Sequence, residues 1–261
     1  MQEAPLVKPG TFCWVELGTT NSEAAKSFYK ELFGWDYHDS DGGPGMVYTM
    51  IRLNGKDVGG LYQMPSNMLE QGVPPHWLNY IAVANADEAT AQAKASGGAV
   101  MNGPFDVMNA GRMSVIQDPT GGVFAVWQPK EHAGAGVYGQ LGTFCWQELG
   151  TGDANKARDF YTTLFGWATE QFPGPMEYTV FKNGDQGVGG MYQITPEMGP
   201  LPPHWLTYFA VADCDATVQK ATENGGSVMK PAEDIPGVGR FAILLDPASA
   251  VFAILKPAPQ A

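Results

Sequence analysis

Cysteine is scarce in this 261-residue chain, and three cysteines cannot form a fully paired disulfide framework. Cys13 and Cys145 stand in matching positions of two similar segments, with neither a neighbouring cation nor a histidine at ligand spacing. They read as small buried hydrophobes rather than nucleophiles or metal ligands. Long apolar runs are also missing: no stretch approaches the ~18 residues a membrane-spanning helix needs, and Met1–Gly10 has neither a basic start nor an apolar signal core. A cytoplasmic protein without a membrane partner is the expectation. Positive charge is short as well, 15 Lys+Arg against 27 Asp+Glu, and the net charge of −12 repels a phosphate backbone. Nucleic acid is excluded as a partner.

What the chain has instead is itself, twice. GTFCWVELGTTNSEAAKSFYKELFGW at Gly10–Trp35 returns as GTFCWQELGTGDANKARDFYTTLFGW at Gly142–Trp167. PPHWLNYIAVANADEATAQA recurs as PPHWLTYFAVADCDATVQKA, and AGRMSVIQDPTGGVFAVWQP as VGRFAILLDPASAVFAILKP. This is tandem duplication. It sets two domains, 1–130 and 142–261, joined by a Gly/Ala-rich linker at 131–141. With 44% hydrophobic residues, each can bury a core.

Within each half a looser repeat is legible. Thr11–Gly18 alternates as a strand, with Phe12, Trp14 and Glu16 on one face and Cys13, Val15 and Leu17 on the other. Thr20-Asn21-Ser22 caps a helix that buries Ala25, Phe28, Tyr29 and Leu32 and stops at Gly34. Asn54-Gly55 joins a hairpin of Val47–Leu53 and Val58–Met64. A second unit follows: strand His76–Val83, helix Asp87–Ser96, then strands near Ala99–Val107, Arg112–Gln117 and Val123–Gln128. Strand, helix, then two or three strands recurs four times along the chain.

A polar-capped helix ending in FY-x-x-LFGW, with a last strand entered through Asp118-Pro119-Thr120-Gly121, resembles the vicinal oxygen chelate superfamily of glyoxalases, bleomycin-resistance proteins and extradiol dioxygenases. The doubled GTFCW…ELGT is similar, more narrowly, to two-domain glyoxalase-like proteins of actinobacteria, of the hydroxylase-labelled, culture-filtrate-antigen type. The resemblance implies an α+β fold of four βαβββ units forming two tandem glyoxalase-like domains with cup-shaped mixed β-sheets. It also implies a divalent metal held by four inward-facing His, Gln or Glu side chains. Alignment puts those positions at Phe12, Gly60, Leu78 and Ala125, and at Phe144, Gly190, Leu206 and Ala253, none of which carries a donor. The expectation is therefore a protein without the family's metal and without another cofactor.

Two pairs of residues remain as acid/base candidates, Glu16 with His76 and Glu148 with His204. They read either as general base and orienter or as turn cap and strand-entry hydrogen bonder. A pseudo-twofold through Phe12 and Leu78 would set Trp14 beside His76, and Trp146 beside His204. Aromatic inward-facing positions suit a flat organic ligand: Phe12, Trp14, Tyr62, Leu78, Tyr80 and Trp127 in the first half, Phe144, Trp146, Leu206, Tyr192 and Tyr208 in the second. The competing reading is that they only fill the core. Arg112 and Arg240 read either as structural partners of Asp106 and Asp234 or as a clamp for a ligand carboxylate.

The functional expectation is a small-molecule-binding protein, monomer or homodimer, that sequesters or transforms an aromatic or carbonyl-containing metabolite. The alternatives are a metal-independent isomerase, cyclase, lyase or hydroxylase of secondary metabolism, and a metal-dependent glyoxalase or dioxygenase. DPTGG against DPASA, and Trp127 against Leu255, predict unequal sites in the two halves.

Overall fold

A computed structural model describes residues 7–43, 45–174 and 176–259. In the first half the elements are β1 (Phe12–Thr19), α1 (Ser22–Phe33), β2 (Asp36–Asp41), β3 (Val47–Leu53), β4 (Lys56–Gln63), α2 (Ser66–Glu70), β5 (His76–Ala82), α3 (Ala86–Ala95), β6 (Ala99–Val107), β7 (Gly111–Gln117) and β8 (Val123–Pro129). The second half repeats them as β9 (Phe144–Thr151), α4 (Ala154–Phe165), β10 (Ala168–Phe172), β11 (Tyr178–Asn183), β12 (Gln186–Gln193), a 3-10 turn at Pro196–Met198, β13 (His204–Ala210), α5 (Cys214–Glu223), β14 (Ser227–Ile235), β15 (Gly239–Leu245) and β16 (Val251–Pro257). Every βαβββ unit therefore has three strands after its helix. The short polar β2 and β10 carry no apolar alternation, which is why the sequence pattern leaves them out.

Local chemistry accounts for the helix ends. Asn21, Asn85, Asp153 and Asp213 each accept a backbone N–H of the first turn through the side chain, satisfying donors the helix itself cannot. Gly34 and Gly166 end α1 and α4 at φ 73° and 68°, a left-handed conformation that costs glycine nothing.

The hydrogen-bonded sheets follow the halves. One runs β2-β3-β4-β1-β5-β8-β7-β6 and the other β10-β11-β12-β9-β13-β16-β15-β14. In each, the hairpins are antiparallel, while β1–β4, β5–β8, β9–β12 and β13–β16 pair parallel.

The cores follow a different division. Among the described residues, one compact unit draws on 7–14, 78–134 and 146–206, the other on 15–77, 135–145 and 207–259. In the second of these, Phe28, Tyr29, Phe33, Trp35 and Trp77 from the first half pack with Phe209 and Phe252 from the second. In the other, Phe12, Ile81 and Phe124 pack with Phe160, Tyr161, Trp167 and Trp205. Each core is thus built from one βαβββ unit of either half.

Buried hydrogen bonds tie the halves at matching points. Trp35 Nε1 donates to Gly142 O at 2.7 Å, and Trp167 Nε1 to Gly10 O at 2.8 Å. Trp205 Nε1 donates to Tyr161 Oη at 2.8 Å, and Tyr161 in turn donates to Asp118 Oδ2 at 2.7 Å. Trp77, Tyr29 and Asp246 form the same chain at 3.0 and 3.2 Å. The repeated FY, LFGW and DP motifs are therefore cross-half ties as well as helix and turn signals.

Candidate functional site

Along β9 the side chains alternate: Leu149 lies in the core, and Trp146, Glu148 and Gly150 face the other way. Register places Glu148 against Gly190 and Gly150 against Tyr192 of β12, with Tyr192 against Tyr178 of β11. Trp146 Nε1 donates to Tyr178 Oη at 2.8 Å. Tyr178 is hydrogen-bonded to Glu148, and burial first, then the nearby carboxylate, hold its phenol well above the ordinary range. Tyr192 is pushed up to about 12, again by burial and then by Glu148. Both phenols stay protonated at neutral pH, as hydrogen-bond donors.

Glycines make room for these rings. A Cβ at Gly190 would overlap the Tyr178 phenol, and one at Gly150 would sit 2.8 Å from Tyr192 Oη and 2.9 Å from His204 Cε1. His204 Nδ1 lies 2.8 Å from Pro202 O. A carbonyl only accepts, so Nδ1 carries a proton and donates it to Pro202. The second half therefore sets a glutamate, two protonated phenols, an imidazole anchored through Nδ1 and an indole on one face.

The first half holds a related set. Glu16 and Gly18 of β1 pair with Gly60 and Tyr62 of β4. A Cβ at Gly18 would lie 2.9 Å from Tyr62 Oη and 3.2 Å from His76 Cε1. His76 Nδ1 donates to Pro74 O at 2.8 Å, and burial lowers the imidazole pKa, keeping it neutral. Burial and Glu16 raise Tyr62, whose hydroxyl lies 3.9 Å from Met68 Sδ. On the other strands Tyr80 Oη lies 4.0 Å from Met113 Sδ, and the Tyr80 and Trp127 rings stand 6.2 Å apart.

Several expectations need correction. Trp14 packs edge-on to His132 at 4.6 Å, and His76 sits over Gly18. Likewise His204 sits over Gly150, while Trp146 bonds Tyr178. Phe12 belongs to a core, 5.2 Å from Trp205 and 5.9 Å from Trp167, and Phe144 stacks on Tyr138 at 5.6 Å. Phe12 and Val15, three residues apart, both face cores, so strict alternation does not extend from Glu16 back to Phe12.

Leu78 and Tyr80 alternate with the core residues Trp77 and Ile81, as Leu206 and Tyr208 do with Trp205 and Phe209. The arginines are committed elsewhere. Arg112 grips Asp87 through two bonds of 2.7 and 2.8 Å and lies 3.5 Å from Asp106; Arg240 does the same with Asp215, at 2.7 and 2.8 Å, and with Asp234 at 3.3 Å. These are strand-to-helix ties that hold Asp87 and Asp215 below the usual carboxylate range, not free anion clamps. Cys13 and Cys145 bond the carbonyls of Tyr80 and Tyr208 and are raised by burial, Cys145 to about 12, as expected of inert thiols.

Tyr178 and His132 escape the sequence reading. Tyr178 had a usable signal, because Tyr48-Thr49 and Tyr178-Thr179 are repeated and face the same strand partners, Tyr62 and Tyr192. His132, in the linker, had none.

A family model, that of the Glyoxalase/Bleomycin resistance protein/Dioxygenase superfamily, matches residues 11–126 and again 143–254. The chain belongs to this superfamily. A Mycobacterium tuberculosis (strain CDC 1551 / Oshkosh) relative named "Putative glyoxylase CFP32" is 45% identical over 256 residues, covering 97% of both chains. The anthracycline biosynthesis protein DnrV of Streptomyces peucetius is 39% identical over 261 residues, covering 95% of this chain and 94% of that one. Among solved structures, the Mn(II)-bound glyoxalase from Novosphingobium aromaticivorans superposes with a TM-score of 0.66 at 15% identity, over 95% of this chain and 82% of that chain. At that identity the likeness concerns the fold alone.

The Novosphingobium aromaticivorans structure is Mn(II)-bound, whereas donors are sparse at the paired strand positions of this chain. Gly60, Gly190, Ala125 and Ala253 pair with Glu16, Glu148, Tyr80 and Tyr208, so each strand-pair position keeps at most one ionisable donor. Among the described residues no group of three or more His, Cys, Asp and Glu side chains is placed to hold a metal.

Proposed function

We propose that this superfamily member binds a planar aromatic, carbonyl- or phenol-bearing metabolite on the second half and transforms it by acid/base chemistry from its own side chains, without a metal. The observation that carries this reading is the chain Trp146–Tyr178–Glu148 beside Tyr192 and His204. Glu148 is the one anion in that set and serves as general base toward an acidic O–H or C–H. Tyr178 orients the carboxylate. Tyr192 offers a neutral O–H to a ligand oxygen, and Nε2 of His204 faces a ligand hydroxyl. The nearly full-length similarity to a protein named for anthracycline biosynthesis supports a polycyclic aromatic ligand.

The test is Glu148→Gln, which keeps volume and removes charge and basicity. With 1,8-dihydroxyanthraquinone as probe and tryptophan fluorescence as readout, affinity should fall at least tenfold, with the melting temperature within about 2 °C of wild type. A variant that loses stability yet binds the probe unchanged would show Glu148 to be scaffold.

A further inference from the structure

The two halves descend from one sequence, so a place where one half fills a position that the other leaves open identifies what the open position can take. Trp14 and Trp146 are such a pair. Trp14 is 4% exposed, and the imidazole of His132 stands against it at 4.6 Å and 89°, with the Trp127 ring 6.1 Å from the same imidazole.

His132 is held there by backbone. Trp127 Nε1 donates to its carbonyl at 2.9 Å, and its N–H donates to Ala110 O at 3.0 Å. Two residues on, Gly134 at φ 120° runs so close to β1 that a Cβ would stand 3.0 Å from the Cys13 Cβ. Only glycine tolerates that approach and that φ.

Trp146 differs on each point. It is half-buried, no aromatic ring among the described residues pairs with it, and the residue matching Trp127 is Leu255. The hydroxyls differ in the same direction: Tyr62 is covered by Met68, whereas Met198, in the matching turn, is 37% exposed.

We propose that His132 is a built-in occupant of the aromatic subsite on Trp14, and that the matching subsite on Trp146 receives the planar ring of an external ligand. The chain then has one working site, in its second half. The contacts of Trp146 define the ligand further. Its Nε1 donates to Tyr178 Oη at 2.8 Å, and Tyr178 is in turn bonded to Glu148 and close to Tyr192. A planar phenol or quinone stacked on the indole presents its oxygen substituents to that cluster. This ligand class rests on the acid/base reading of Glu148 given above; the ring subsite on Trp146 does not.

The experiment is a titration with 1,8-dihydroxyanthraquinone followed by calorimetry and tryptophan fluorescence. Wild type should bind one probe per chain, and Trp146→Ala should weaken binding at least tenfold. Trp14→Ala should leave that site within twofold. His132→Gly should open a second site, raising stoichiometry toward two, and added imidazole should raise the melting temperature of this variant but not of wild type, since a cavity that fits a ring binds one.

Two equal sites in wild type, no binding at millimolar probe, indifference to Trp146→Ala, or neither a second site nor imidazole rescue in a folded His132→Gly protein would each overturn the proposal. The two readings fail separately: Glu148→Gln without effect alongside a sensitive Trp146→Ala removes the acid/base role and leaves the ring subsite standing.

Discussion

Cutting the chain in the linker gives a direct measure of how the halves depend on each other. A fragment of residues 1–130 keeps all eight strands of the first sheet, since that sheet contains no strand of the second half. It loses the partners of both cores. Phe28, Tyr29, Phe33, Trp35 and Trp77 stand between 5.0 and 6.0 Å from Phe209 or Phe252, and Phe12 and Phe124 lie between 5.2 and 6.2 Å from rings of the second half. Full burial of such a side chain contributes about 1.5–3 kcal/mol, so re-exposing a third to a half of each costs about 1 kcal/mol per ring, on the order of 7 kcal/mol in all. Domains of this size have a net stability of about 5–15 kcal/mol.

The fragment should therefore not be a folded monomer. It should either lose its near-ultraviolet dichroism or self-associate, a second copy standing in for the missing half, and the 131–261 fragment should restore the native spectrum on mixing. Light scattering with near-ultraviolet dichroism decides between these states. A monomeric 1–130 fragment with native dichroism and a cooperative melt would refute the reasoning, because it would show that each half closes its own core.

Other perturbations test single contacts. Tyr161→Phe orphans the Trp205 indole and removes one partner of the Asp118 carboxylate, at a cost of about 2–3 kcal/mol; this should lower the melting temperature by about 5–10 °C, and a change under 2 °C would contradict it. Burial raises the pKa of Asp246 above its ordinary 3.8, so the folded state holds this proton more tightly than the unfolded one. The stability it contributes is present below 3.8 and is lost as pH rises through the folded pKa. Wild type should thus lose stability relative to Asp246→Asn over that window, and a gap that is flat or of opposite slope in denaturant titrations would contradict the sign. Adding Mn, Zn, Ni or Fe(II) salts should not raise the melting temperature, since a specific ion would stabilise by linkage; a saturable increase at micromolar metal would overturn the donor-set argument.

The fold was readable because its signals are local. Capping residues, left-handed glycines and alternating strands are set by neighbours in the chain, and Asn21, Gly34 and Asn54-Gly55 act where the pattern puts them. β2, β10 and α2 were not readable, being short and without an apolar period. Of the candidate site, the parity of Trp14, Glu16, Trp146 and Glu148 was legible, but the company each keeps was not. Tyr178 reaches Glu148 from a strand 30 residues on, and His132 reaches Trp14 from the linker. The placement of Phe12 failed for a related reason, because one slip of alternation along β1 is invisible in composition and moves a ring from the site face to the core.

By itself, the sequence determined the duplication and the four βαβββ units, because both depend only on which residues stand where along the chain. Tertiary structure alone decided that the sheets follow the halves while the cores cross them. It also decided that Arg112 and Arg240 are spent on Asp87 and Asp215, and that His132 stands against Trp14. Those outcomes depend on distances between residues far apart in the chain, which packing sets and local pattern does not encode.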